Sequence, residues 1–210
     1  VNSLKTPFFI GYGLFFLVGA FALLFTDKLA LQLEINSLHS TLLDTLMPIV
    51  TFFGDGLFAI LLSLALILWI NRKWGWMLLF SYGVSSLIAQ IGKHLLFPDA
   101  MRPFFYLKTN PTFHRIPGLV YHEFHSFPSG HTTTAFAIAT YLALCMGKKT
   151  WHQFALLFGA LWVGFSRIYL SQHFLVDVVF GSLIGVTTSL FLYLLLPSTW
   201  LRIETPYVKR

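Results

Sequence analysis

Apolar residues fall along this chain in long runs separated by short polar stretches, a pattern that predicts helices crossing a bilayer. Six runs near the spanning length stand out, at 7–25, 48–70, 74–95, 132–147, 151–170 and 174–196. The fourth is short, and the third and fifth run into polar residues with chemistry of their own. Between the first two, 26–47 sets Asp27, Lys28, Glu34 and Asp44 among leucines, the pattern of an amphipathic helix lying at the membrane surface. The longest connection, about 96–131, carries Arg102, Lys108, His114, Arg115, His122 and His125. The first run has features of a secretory leader, with Lys5 ahead of it and Ala20-Phe21-Ala22 as a cleavage-like site. It continues through Leu23-Leu24-Phe25, so a retained spanning helix is expected.

Composition agrees with that reading. Hydrophobic residues make up 56% and charged residues 10%, and mean hydropathy is +0.73, whereas soluble domains carry about 25% charged residues. The expected fold is one domain over 1–210, an all-α membrane protein with six transmembrane helices and an amphipathic surface helix after the first. The net charge of +6 does not imply nucleic acid, because the basic residues are scattered and form no soluble basic face. They do set an orientation. Lys5, Arg72, Lys73, Lys148, Lys149, Arg202, Lys209 and Arg210 fall on one side with Glu204, and the remaining acids fall on the other. That predicts cytoplasmic termini. Cys145, alone of its kind, excludes an intrachain disulfide and reads as a buried spectator. Trp69, Trp74, Trp76, Trp151 and Trp200 read as interfacial belt residues.

The candidate chemistry lies in three polar blocks. Pro128-Ser129-Gly130-His131 precedes an apolar run and reads as a helix start capped by Ser129. Free amides and the positive dipole end make such a terminus an anion site, with His131 beside it to move a proton. Further on, His173 and Asp177 are four residues apart and share a helix face, so the carboxylate can fix the imidazole tautomer. Lys93, Arg102 and Arg167 complete a set of cations. A lysine at a helix end often only snorkels to the interface, and Arg167 with Asp177 also reads as an ion pair. Ionisable groups within spans are costly, however, and are rarely kept without a role. Together these residues suit phosphoryl transfer without a metal. His122, Glu123 and His125 look faintly like a metal set, but interface or substrate contact is the better reading. Gly181 and Gly185 suit close helix packing.

In order, the blocks resemble the signatures of the type 2 phosphatidic acid phosphatase superfamily, in particular its bacterial membrane lipid phosphatases. Pro-Ser-Gly-His matches fully, as does Ser166-Arg167, five residues, His173, three residues, Asp177. The first block departs: Lys93 and Arg102-Pro103 have eight residues between them where the family has six. Two accounts compete. Either the extra residues loop out around Phe97-Pro98-Asp99-Ala100, the favoured reading, or Lys108 substitutes for Lys93.

The resemblance implies a lipid phosphate or diphosphate phosphatase, and the charge-based orientation puts all three blocks at the extracytoplasmic mouth of the bundle, facing the periplasm of a bacterial inner membrane. It implies His173 as nucleophile through a phosphohistidine, Asp177 as its orienting partner and His131 as acid and then base. Lys93, Arg102, Ser129, Gly130 and Arg167 would hold the phosphate. No cofactor, metal, nucleic acid or obligate protein partner is expected; the partner is a membrane lipid phosphate. Candidate substrates are undecaprenyl diphosphate, phosphatidylglycerophosphate, phosphatidic acid and lipid A phosphates. A lipid-to-lipid phosphotransferase keeps the same site. A vanadate-dependent oxidant and a non-enzymatic scaffold or transporter fit it less well.

Overall fold

The computed structural model describes residues 7–146 and 149–195. All regular structure among them is helical. The order is α1 (Pro7–Phe25), α2 (Lys28–Ser37), α3 (Thr41–Phe52), α4 (Gly56–Ala65), α5 (Arg72–Ile91), α6 (Pro103–Leu107), α7 (Gly130–Met146), α8 (Thr150–Tyr169) and α9 (Leu175–Leu195). Helices α4 and α5 each continue through a π turn, Leu66–Ile70 and Gly92–Leu96.

Helix α7 is the axis of the bundle. Residues 132–141 are buried on every face, and α5, α8 and α9 pack around them. The closest approach is to α9, where a β-carbon at Gly185 would stand 2.4 Å from the Thr133 carbonyl oxygen. One at Gly181 would meet the Ser129 carbonyl at 2.7 Å. The expected close packing is therefore between α9 and α7. Buried hydroxyls pair across helices, as Ser81 and Ser189 do at 2.7 Å. Large apolar side chains cover the outside, Leu24 and Trp69 both 79% exposed. That is the arrangement of a bundle whose solvent is hydrocarbon.

Among the described residues, three helices are each long and apolar enough to cross a membrane: Pro7–Phe25, Arg72–Leu96 and Leu175–Leu195. A bent pair, Thr41–Phe52 with Gly56–Ile70, whose axes differ by 56°, is long and apolar enough to make a fourth when taken as one broken span. The single run expected over 48–70 is therefore broken. Gly54-Asp55-Gly56 explains the break, because Asp55 caps α4 by accepting from the Leu57 amide at 2.8 Å. Helix α7 has only 17 residues, and α8 carries His152, Gln153 and Arg167.

The expected surface helix over 26–47 is in fact two elements. Asp27 caps α2 and Ser40 caps α3, and α2 buries Gln32 and Asn36 against the bundle. Gln32 donates to the Ile168 carbonyl at 2.8 Å. Trp74 also departs from expectation. It is buried beside Ala59, Leu78 and Tyr141 rather than lying in the interfacial belt, whereas Trp69, Trp76 and Trp151 are exposed. Trp200 lies outside the described residues, as do Lys5, Lys148, Glu204, Arg202, Lys209 and Arg210, on which much of the charge-based orientation rests.

Candidate active site

One end of the bundle gathers the polar blocks. The α3–α4 break, the end of α5, the loop before α6, the start of α7 and the α8–α9 turn all border a cavity of about 590 Å³. Lys93, Arg102, Gly130, His131, Arg167 and His173 line it. Asp55 is the one carboxylate among the lining residues, against three cationic side chains. Such a balance favours a phosphate anion.

His173 sits in the turn after α8, and its side chain is 1% exposed. Its Nδ1 lies 3.3 Å from Asp177 Oδ2. That oxygen also accepts from the Phe174 amide at 2.9 Å and from the Ser126 hydroxyl. The carboxylate is thereby fixed on one imidazole nitrogen, leaving Nε2 as the nitrogen available for attack. Burial first, then the charges of Arg167, Lys93 and Arg102, hold the His173 imidazole well below its ordinary range. Both effects favour the neutral ring over the protonated one.

At the start of α7, the Ser129 hydroxyl accepts from the Thr132 amide at 3.4 Å and its hydroxyl at 2.9 Å. Ser129 is fully buried and does not line the cavity. Gly130 and His131 do line it. His131 Nε2 stands 3.6 Å from Asp55 Oδ2. Asp55 thus uses one oxygen to cap α4 and turns the other toward His131.

The cations are held from separate elements. Arg167 Nη1 donates to Thr51 Oγ1 at 2.7 Å, while its buried Nε has no protein partner among the described residues. Arg102 donates through Nε to the Phe124 carbonyl at 2.8 Å and through Nη1 to Gln172 Oε1 at 2.9 Å. Lys93 is 9% exposed, and its Nζ lies 4.0 Å from where a β-carbon on Gly130 would be.

Between Lys93 and Arg102 the chain makes two turns in succession. The π turn closes with the Phe97 amide donating to the Gly92 carbonyl at 2.8 Å, five residues back, so it winds more chain into one turn. A tight turn follows, with the Ala100 amide on the Phe97 carbonyl at 3.2 Å. Lys108 is instead paired with Glu123 at 2.8 Å on the exposed loop.

Four residues at the site lie outside the sequence blocks or in their variable positions: Thr51, Asp55, Ser126 and Gln172. Only Asp55 had a readable signal, in Gly54-Asp55-Gly56. The other three are brought in by long-range folding. His122, Glu123 and His125 go to three different places. His122 lines the cavity, Glu123 pairs with Lys108, and the His125 ring lies 4.6 Å from that of His94.

Comparison with known proteins agrees with the geometry. The family model described as PAP2 superfamily matches residues 74–200, more than half of the chain. The chain is 31% identical over 157 residues to the undecaprenyl-diphosphatase BcrC of Bacillus subtilis, covering 74% of this chain and 75% of that protein. The crystal structure of Aquifex aeolicus LpxE superposes with a TM-score of 0.69 at 27% identity, covering 80% of this chain and 96% of that one. A transmembrane PAP2 type phosphatidylglycerolphosphate phosphatase from Bacillus subtilis shares the fold, with a TM-score of 0.61 at 24% identity, covering 90% and 94% of the two chains.

Proposed function

Because this chain belongs to the PAP2 superfamily and a relative covered for 75% of its length is named an undecaprenyl-diphosphatase, we propose that it hydrolyses a lipid phosphate or diphosphate through a phosphohistidine. The observation that carries this reading is one cavity bordered by His131 and His173 together with Lys93, Arg102 and Arg167. His173 Nε2 attacks phosphorus as the bond to the leaving oxygen breaks, and His131 gives that oxygen a proton. Water then attacks the phosphorus of the phosphohistidine, His131 takes a proton from it, the P–N bond breaks with its electron pair returning to His173 Nε2, and inorganic phosphate leaves. Asp177 holds the ring and stabilises its cationic form. Lys93, Arg102, Arg167 and the α7 terminus at Gly130 bind the equatorial oxygens, where charge accumulates. Ser129 contributes by fixing that terminus.

Among candidate substrates a polyprenyl diphosphate is favoured by the relative named undecaprenyl-diphosphatase. The same reading has six spans, with α7 and α8 completing the set. It places the cavity on the extracytoplasmic side, because Arg72, Lys73 and Lys149 lie at the opposite ends of the helices that border it. Phosphate release in detergent from undecaprenyl diphosphate, phosphatidylglycerophosphate, phosphatidic acid and lipid A tests the activity and ranks the substrates. His173→Ala should abolish release from whichever is turned over. Turnover by that variant at the parent rate would remove the nucleophile.

A further inference from the structure

A second cavity, about 470 Å³, borders the same α3–α4 break. No charged side chain lines it, and the Trp162 indole is its one polar side chain. It alternates with the phosphate cavity along two elements. In the break, Thr51, Gly54 and Asp55 line the polar cavity, while Val50 and Phe53 line the apolar one. On α7, His131 and Thr134 border the first, and Ala135 and Ile138 the second.

The lining residues also give it a direction. From the break, the apolar walls run down α4 to Leu62 and down α7 to Leu142. On the antiparallel α8 they run from Val163, one turn before Arg167, back to Ala155. The Ala155–Val163 stretch of α8 is about 12 Å long. The cavity is therefore a groove that leads away from the phosphate site along the helix axes. Its width comes from small residues on two helices, among them Ala139 and Gly159. Among the described residues, no atom lies within 4 Å of a β-carbon placed on Gly159.

We propose that this groove between α4 and α8, floored by α7, holds the phosphate-proximal segment of the substrate's hydrocarbon chain. The inference rests on the lipid phosphatase reading above. A phosphate within reach of His173, itself 1% exposed, is covalently tied to a chain that must leave the polar cavity over apolar surface. The groove begins at neighbouring positions of the same α3–α4 break, and Ala155, Gly159 and Trp162 along it are exposed on the outside of the bundle, where the remainder of a long chain would continue. A bulk bilayer lipid would fill the same space without reference to the phosphate, and the test separates the two occupants.

The experiment compares the parent protein with Gly159→Phe and Gly159→Ala on two diphosphates, undecaprenyl diphosphate and the short-chain isopentenyl diphosphate. Gly159→Phe should lower kcat/KM for the long chain on the order of tenfold and leave the short one within about twofold, while Gly159→Ala changes neither. Parallel loss on both substrates, or loss on neither, overturns the assignment. A second measurement uses the unaltered protein and needs no turnover. A polyprenyl diphosphate with a photoreactive group on its first isoprene units should label Phe58, Leu62, Ala155 or Gly159, and excess unlabelled diphosphate should suppress the adducts. Adducts confined to α1 or α5, or adducts indifferent to the competitor, overturn it. If the parent releases phosphate from neither diphosphate, the proposed activity fails on that count, and the crosslinks still decide what the groove holds.

Discussion

At the scale of single residues, the site depends on which charges face the cavity and which face solvent. Lys93 and Arg102 border the cavity, so each alanine substitution should lower kcat/KM by about a hundredfold, the scale of one transition-state charge contact. Lys108→Ala should change it little, because an exposed ion pair with Glu123 contributes about 0–1 kcal/mol. Steady-state kinetics on the three variants decides the matter. A crippled Lys108→Ala beside a silent Lys93→Ala would reverse the register. The buried imidazole of His173 makes a separate prediction about stability. Its folded value is lowered, so below the ordinary histidine range, near about 6.5, the unfolded chain binds a proton that the folded chain refuses. The stabilisation is present above that range and is lost as pH falls toward the folded value. The melting temperature in detergent should therefore fall on acidification from neutral pH, and fall less in His173→Gln. Identical pH dependence in the two proteins would contradict this account. The His173–Asp177 pairing was legible from four-residue spacing; the Ser126 hydroxyl on the same carboxylate was not, because its partner lies 51 positions away.

At the scale of elements, two features of the sequence carry most of the site. One is the start of α7, legible from proline, a capping serine and glycine ahead of an apolar run. The other is the α3–α4 break, where hydropathy alone reads through Gly54-Asp55-Gly56 as one continuous span. Hydropathy averages over some twenty residues, so a glycine and a cap within an apolar run leave little trace in it, although the local helix-stop signal is present. The break matters because it brings Thr51 to Arg167 and Asp55 to His131. The α7–α9 contact carries a prediction of its own. Gly185→Val should destabilise the bundle by about 1–3 kcal/mol, the range for overpacking, since its β-carbon would lie 2.4 Å from the Thr133 carbonyl and 2.8 Å from the Ala137 nitrogen. Thermal unfolding in detergent measures this, with Gly159→Val as the unhindered control. Equal stability of the two variants would mean that α9 does not bear on α7 as closely as described.

At the scale of the whole molecule, polar chemistry is concentrated at one end of a bundle whose flanks are apolar. The proposed reaction draws on cations and histidines at that end, so phosphate release should persist after exhaustive EDTA treatment. Vanadate should inhibit it by adopting the five-coordinate geometry of the transferred phosphoryl group. Activity lost to the chelator and restored by one divalent metal would overturn the metal-free reaction. By itself the sequence determined the helical membrane class, most helix positions and the three polar blocks. Each is a local property: hydropathy over one span, a cap, or a spacing within a turn. Only the tertiary structure decided that Lys93 reaches the same cavity as Arg102 despite two extra residues, that Ser129 does not line that cavity, that Trp74 is buried, and that Thr51, Asp55, Ser126 and Gln172 join the site. These outcomes depend on which helix faces meet, and they follow from packing between segments far apart in the chain, which no local pattern encodes.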